Sequence, residues 1–488
     1  MKEIINAIAS GLDWFDDLVW GPPLLILLLG VGIFLTLSLK CLQVSRLPLA
    51  AKMVFTPHKE SQSKKGDLTS FAALCTALAA TIGTGNIVGV ATAVSIGGPG
   101  ALFWMFVAAF FGMATKYAEC LLAVHFRETD ARGRYVGGPM FYIKNGIGRN
   151  YPRLAKTLAV MFAIFGIMAG CLGIGTYAQI NSVVEAGAQL GVDRLYTSIG
   201  VTLVVGWIIY GGLKYIANTS RTVVPLMAMV YIVCCLIVVC LNISAVPDAL
   251  KLIVESAFTT TSAVGGFAGA TVLMAIQKGV ARGIFSNEAG LGSAPIAAAS
   301  AKTNSPVEQG LISMTGTFLD TMIICMLTGL TLVLTGAWCS DVTGVAMTTL
   351  AFSNALGSTA GLYIINISLL LFAMTTIIGW NFYTSRCVIY LFGARAITPF
   401  KIIYILFVAS YILIVLFVDM ADATQKTAIN TVWTISDIAN GLMAFPNLIA
   451  LIMLRKVIWS DTKDYFKNLR MKRLKDQEER NQKEQAPA

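Results

Sequence analysis

Eleven windows of this sequence are each apolar and long enough to cross a bilayer: roughly 22–41, 68–94, 99–126, 154–184, 196–213, 222–245, 266–299, 310–337, 361–390, 399–418 and 428–454. The hydrocarbon layer offers no water to a backbone N–H or C=O, so each window must satisfy its own main chain, as a helix does. Several windows exceed the twenty or so residues of a straight span and are expected to tilt, bend or break. The chain of 488 residues is 56% hydrophobic and 13% charged, with a mean hydropathy of +0.73, outside the range of soluble domains. The expected fold class is an all-α polytopic membrane protein with about eleven transmembrane helices. Acidic residues (Asp13, Asp16, Asp17) precede Pro22–Leu39 and no small-residue cleavage site follows it, so it reads as a retained first helix and not as a signal peptide.

Lysine and arginine set the orientation. With the N-terminus outside, most of the 36 basic residues fall in inside loops: Lys40 to Lys65, Arg127 to Lys156, Lys214 and Arg221, Lys302, Arg386 to Lys401, and the tail after Arg455. Only Lys2, Arg194, Lys251 and Lys426 fall in outside loops. A span missed or invented would reverse every later loop and destroy this bias. The net charge of +10 is therefore mainly a topology signal. Basic residues scattered around apolar spans do not form a nucleic-acid surface. The ten cysteines lie mostly inside spans with no CxxC or Cys/His grouping, and read as packing residues. The tail Lys467–Lys483 reads as a solvated stop-transfer flank.

Two windows are interrupted by glycine. Ala79-Ala80-Thr81-Ile82-Gly83-Thr84-Gly85-Asn86 and Phe285-Ser286-Asn287-Glu288-Ala289-Gly290-Leu291-Gly292 lie about 205 residues apart, each in mid-span. Setting aside the first helix, ten spans remain. Two units of five must enter the membrane from opposite sides, and both interruptions fall in the first span of their unit. The expected organisation is thus residues 1–65 (outside N-terminus, extra helix, inside loop), 66–250 and 251–455 (two five-helix repeats related by inversion), and 456–488 (basic tail). Broken helices at matching positions of two halves point to a transporter's binding site.

At the first interruption Gly83 and Gly85 let the chain leave helical φ/ψ. The half-helix restarting near Asn86 offers amides and a positive dipole end to a carboxylate. The carbonyls of Ala79 and Ile82, released before the break, are hard oxygens suited to a small cation. At the second, Ser286 and Asn287 supply side-chain oxygens and Phe285 is large enough to cap a small ligand. Glu288 at mid-membrane costs about 2.5–3.5 kcal/mol, so it is either functional, as a proton or cation site, or an acceptor for stray amides of the broken helices. Lys278 and Arg282 lie before the break and are expected to meet headgroups or carboxylates such as Asp320. Thr375 and Thr376 either bond back to their own helix or complete a cation shell. Gln179 and Asn181 are placed for a ligand or for an interhelical hydrogen bond.

The runs Gly83-Thr84-Gly85-Asn86-Ile87-Val88-Gly89, Gly97-Gly98-Pro99-Gly100, Gly137-Gly138-Pro139-Met140, Phe285-Ser286-Asn287-Glu288-Ala289-Gly290-Leu291-Gly292-Ser293-Ala294-Pro295 and Ile377-Ile378-Gly379-Trp380 resemble the alanine or glycine:cation symporter family, from Gly66 to Arg455. The resemblance implies sodium-driven uptake of a small neutral amino acid on the inverted-repeat fold of LeuT-like carriers, in a prokaryotic cytoplasmic membrane with the C-terminus inside. It implies a carboxylate cradle at Thr84, Gly85 and Asn86. Gly290 and Gly292 form the opposite unwound stretch, Phe285 a gate, and Gln179 and Trp380 pocket walls. It implies a sodium site at Ala79, Ile82, Phe372, Thr375 and Thr376; sodium is the coupling ion and no cofactor is expected. A second sodium touching the substrate would draw on Thr81, Asn86 and Ser286. The nearest rival is a proton-coupled permease using Glu288. A membrane-embedded enzyme fits poorly, since GxSxG, HExxH and Walker A motifs are absent.

Overall fold

The computed structural model describes residues 2–56, 65–261, 269–417 and 423–485. They are helical almost throughout. A two-stranded antiparallel hairpin, Glu128–Thr129 with Tyr135–Val136, pairs Glu128 with Val136 and Thr129 with Tyr135. Each of the eleven apolar windows carries a helix. Among the described residues, eight helices are long and apolar enough to cross a membrane singly, and two more bent pairs qualify together.

Burial sorts these helices into centre and periphery. In Gly100–His125, 83% of the apolar window is buried inside the protein, against 28% in Leu213–Leu241 and 22% in Ala394–Phe417. The first is therefore the packed axis, and the others turn side chains such as Leu226, Met229 and Leu406 to lipid. Gly100–His125 packs against Val272–Asn287 and Pro306–Thr317. Ser358–Phe392 packs against Ser70–Thr81, Pro152–Leu172 and Tyr177–Gln189.

Both glycine-marked windows are broken. The first helix starts at Ser70, where the Thr69 side chain accepts from Ala72 N at 3.1 Å, and ends at Thr81. Ile82 is extended (φ −75, ψ 96), and the chain resumes as a π-helical turn, Gly85–Gly89, leading into Val90–Gly97 at 54° to the first part. The second helix, Val272–Asn287, stops where Glu288 adopts a left-handed conformation (φ 55). Gly290 and Gly292 follow at φ +91 and +83, conformations that exclude most side chains, before Ala294–Ala298. A third break, Gly173–Thr176, separates Pro152–Leu172 from Tyr177–Gln189 within the window 154–184.

Two expectations need correction. Lys214 and Arg221 do not lie in a loop: Gly212 alone (φ 78) turns the chain, and both belong to the helix Leu213–Leu241. Arg386 is no loop residue; it is 3% exposed inside Ser358–Phe392, its guanidinium 4.9 Å from the Phe382 ring centre. The C-terminal helix Arg455–Gln485 begins with a docked segment that precedes the flank Lys467–Lys483. Tyr117 and Thr462 share a hydrogen bond at 2.7 Å, His125 Nδ1 meets Asp461 at 2.6 Å, and Ile458 is 1% exposed. The start of this helix thus caps the loop side of the bundle.

Candidate functional site

The first break gathers neutral oxygens. Gly83 N–H donates to Asn86 Oδ1 (2.9 Å) and Thr84 N–H to Gln179 Oε1 (3.4 Å), so the carbonyls of Ala79 and Ala80 lose their helical donors. The helix Ser358–Phe392 crosses here. Thr376 Oγ1 lies 3.3 Å from Ile82 O and 3.0 Å from Phe372 O, and Thr375 Oγ1 lies 2.9 Å from Phe372 O. Ile82, Phe372, Thr375 and Thr376 are therefore brought together. Two glycines permit the approach: a Cβ on Gly83 would sit 2.4 Å from Thr376 Oγ1, and one on Gly379 2.7 Å from Ala80 N. Thr375 also bonds to Leu371 O at 3.1 Å, so both of its backbone contacts run back to its own helix, the first of the two alternatives for it.

The space between the two breaks is held by a residue sequence reasoning misplaced. Asp320, expected to face Lys278 and Arg282, is fully buried in the π-helical turn Phe318–Cys325. Its carboxylate accepts from Asn86 Nδ2 (2.8 Å), Ser286 Oγ (2.8 Å) and Thr321 Oγ1 (2.7 Å), tying the first broken helix to the second. Arg282 pairs instead with Asp437 at 3.6 Å. Asn86 spends its oxygen on Gly83 and its nitrogen on Asp320, which fixes the turn after the break. Asn287 is equally committed: Oδ1 caps Ala289 N–H (2.9 Å) and Nδ2 reaches Thr321 (3.1 Å). It supports the second break from within.

The second break is held by Glu119, which sequence reasoning missed. Glu119 Oε1 accepts from Gly290 N and Gly292 N, each at 3.1 Å, and from Asn447 Nδ2 at 2.6 Å. Asn447 also donates to Gly290 O (2.8 Å) and accepts from the Tyr142 hydroxyl. The role of amide acceptor, offered above to Glu288, belongs to Glu119. Glu288 accepts from Ser293 Oγ, and its other oxygen lacks a hydrogen-bond donor among the described residues. Lys116, three residues before Glu119 and 2% exposed, has no hydrogen bond, yet its charge acts on Glu119, Glu288 and Asp320. Ionisable residues three apart in an apolar window were the available signal. A Cβ on Gly290 would lie 2.5 Å from Leu28.

Gln179 bridges to the first break through Thr84, donating to Thr84 Oγ1 at 3.1 Å and accepting from Thr84 N. Asn181 is an interhelical partner, accepting from the Tyr411 hydroxyl at 2.6 Å. Trp380 is 1% exposed and lies beside Glu288, and Phe285 is 6% exposed next to Ser286. With Thr84, Asn86 and Ser286 at 2% exposure or less, the site is closed.

Closure on the loop side has an identifiable latch. Leu68 and Ala301 form a parallel β-bridge, with Leu68 N to Ser300 O at 3.0 Å and Lys302 N to Leu68 O at 2.6 Å. Arg127 donates to the carbonyls of Ala299, Ala301, Lys65 and Thr303 at 2.6–3.1 Å. The chain entering the first broken helix is thereby tied to the chain leaving the second.

Two interrupted membrane helices facing each other across buried polar groups, with a latch at one end, define a secondary transporter. Comparison with known proteins narrows the class. The chain belongs to the sodium:alanine symporter family, whose profile matches residues 5–481. It is 53% identical over 466 residues to an uncharacterized transporter of Haemophilus influenzae, covering 95% of this chain and 97% of the other. It is 46% identical over 455 residues to the sodium/alanine symporter AgcS of Methanococcus maripaludis, covering 92% and 95%. The crystal structure of MhsT with L-phenylalanine superposes with a TM-score of 0.50 at 12% identity, over 82% of this chain and 100% of that one, a likeness of fold. The protein is a multi-pass amino-acid:cation symporter and not an enzyme.

Proposed function

We propose that the protein couples inward sodium movement to uptake of a small neutral amino acid, alanine or glycine, by alternating access across a prokaryotic cytoplasmic membrane. The observation that carries the sodium reading is the oxygen cluster of Ile82, Phe372, Thr375 and Thr376. None of these oxygens titrates near neutral pH, so the cluster suits an alkali cation and cannot hold a transferable proton. The AgcS relative, described as a sodium/alanine symporter, supports the same choice.

The amino-acid carboxylate takes the amides after Ile82. In the closed state Asn86 Oδ1 and Gln179 Oε1 stand where its oxygens would bind, so substrate replaces internal acceptors already matched to those donors. Gly85 leaves room: a Cβ there would lie 3.1 Å from Ser286 Cα. Sodium at the neighbouring cluster holds the break open and offsets the negative charge of Asp320. Phe285 and Trp380 restrict the side chain by steric exclusion.

The deciding experiment is counterflow in proteoliposomes with a panel of amino acids, with and without sodium. Alanine or glycine exchange that requires sodium supports the proposal. Exchange indifferent to sodium, driven by a pH gradient and lost in Glu288→Gln, would establish the proton-coupled rival. Size selection is tested by Phe285→Ala. The ratio of leucine to alanine uptake should rise at least about tenfold, since a single methylene admitted to an apolar pocket is worth about 1–3 kcal/mol. An unchanged ratio would remove Phe285 from the pocket.

A further inference from the structure

The helix Gly100–His125 carries Gly112, Lys116 and Glu119 at i, i+4 and i+7, one stripe along the packed axis of the bundle. That stripe runs past both elements that hold the site. A Cβ on Gly112 would lie 3.0 Å from Ala289 Cβ, in the second break, and 3.8 Å from Thr317 Cγ2, at the entry to the π-helical turn that carries Asp320. At the other end of the stripe Glu119 accepts from Gly290 and Gly292. Lys116 lies between these fixed points and is 2% exposed.

Three buried carboxylates thus surround one buried ammonium. The charge of Lys116 acts on Glu119, Glu288 and Asp320 alike, yet its Nζ has no hydrogen-bond partner among the described residues. Oε2 of Glu119 and Oε1 of Glu288 have none either. The lysine is therefore committed to no single carboxylate. Arg386, the other buried cation among the described residues, belongs to the latch end of the bundle, where its charge acts on Asp67. Asp320 ties the first break to the second, and a carboxylate so deeply buried is costly without a countercharge.

Sodium at the oxygen cluster brings a second countercharge, so the demand on Lys116 depends on load. With sodium and the zwitterion bound, the space between the breaks gains one positive charge. Without them the same carboxylates pass through reorientation with Lys116 alone. We infer that Lys116 is a tethered countercharge for the return of the empty carrier, standing in for sodium while the unloaded breaks change sides. This rests on the symport reading above. A purely structural lysine, fastening the second break to Gly100–His125, would be needed equally with and without load.

Alanine flux through the full-length protein in proteoliposomes separates the two. In exchange, with sodium and alanine saturating on both sides, only the loaded carrier moves; in net uptake driven by a sodium gradient, the empty carrier must return in every cycle. Lys116→Met should lower net uptake at least about tenfold and exchange by less than about threefold, because loss of the countercharge weighs on the empty form. Lys116→Arg keeps the charge and should keep the ratio of net uptake to exchange near that of wild type. Exchange in the same vesicles reports the folded fraction, so misfolding by itself leaves the ratio unchanged. An unchanged ratio in Lys116→Met, or loss of exchange along with net uptake, would overturn the proposal, and so would an equal fall of the ratio in Lys116→Arg. Wild type that exchanges alanine only with sodium present keeps the symport reading whatever the variants do; wild type whose exchange ignores sodium removes that reading and the proposal with it.

Discussion

Thr376→Val lowers sodium-driven uptake at least about tenfold and raises the half-saturating sodium concentration by a similar factor. Valine keeps the volume of threonine and removes only the hydroxyl that lies 3.3 Å from Ile82 O and 3.0 Å from Phe372 O. An interaction of that oxygen with a charged ligand is worth about 1.5–3 kcal/mol, and each 1.4 kcal/mol is tenfold in affinity. Uptake measured across a sodium series at fixed pH gives both quantities. Thr384→Val is the control, since Thr384 also bonds back to its own helix, to Trp380 O at 2.7 Å, but two turns further along. Sodium dependence should survive there. Equal loss in both variants would mean that the hydroxyls matter to the helix and not to the ion.

The second large effect is on stability. Glu119→Ala leaves the amides of Gly290 and Gly292 and the Asn447 side chain without their acceptor, and removes a partner charge of Lys116. Breaking a buried charge interaction by deleting one side costs about 3–5 kcal/mol, and buried donors left without an acceptor add to it. Glu119→Gln keeps an acceptor oxygen and should lose markedly less. Cys75, Cys120, Cys171, Cys235, Cys325 and Cys387 are buried and free, so thermal unfolding can be followed by their reaction with a thiol-specific dye. The alanine variant should react at clearly lower temperature than the glutamine variant, and that below wild type. Three coincident transitions would show that Glu119 does not hold the second break.

The fold was largely legible because its strongest signals are local. An apolar window of twenty residues must satisfy its main chain in lipid, and each of the eleven carries a helix among the described residues. The breaks were legible because Gly83, Gly85, Gly290 and Gly292 interrupt such windows. The turn at Gly212 was hidden because Lys214 and Arg221 in the opening turns of a helix look like loop residues. The oxygen cluster was half legible: neighbouring threonines showed in the composition of their window, while their crossing over Ile82 depends on contacts 294 residues apart.

What holds the breaks was not legible. Glu119 reaches Gly290 across 171 residues and Asp320 reaches Asn86 across 234, separations with no local pattern. Average hydropathy also conceals single charges, so Lys116, Glu119 and Asp320 passed as incidental members of apolar windows. Glu288 drew attention because it stands in a motif, yet its left-handed backbone goes with a side chain bonded to Ser293 and not to the glycine amides. Ionisable residues deep in a span need a partner, and searching for partners of all four would have pointed to the space between the breaks.

If sodium and amino acid occupy neighbouring halves of one break, each must raise the affinity of the other by the same factor. Equilibrium binding of alanine to the purified protein, titrated with and without sodium at constant ionic strength, measures that factor directly. Alanine should bind at least about tenfold more tightly with sodium present, and that gain should nearly vanish in Thr376→Val. Alanine binding of equal strength at both sodium levels in the wild-type protein would contradict it.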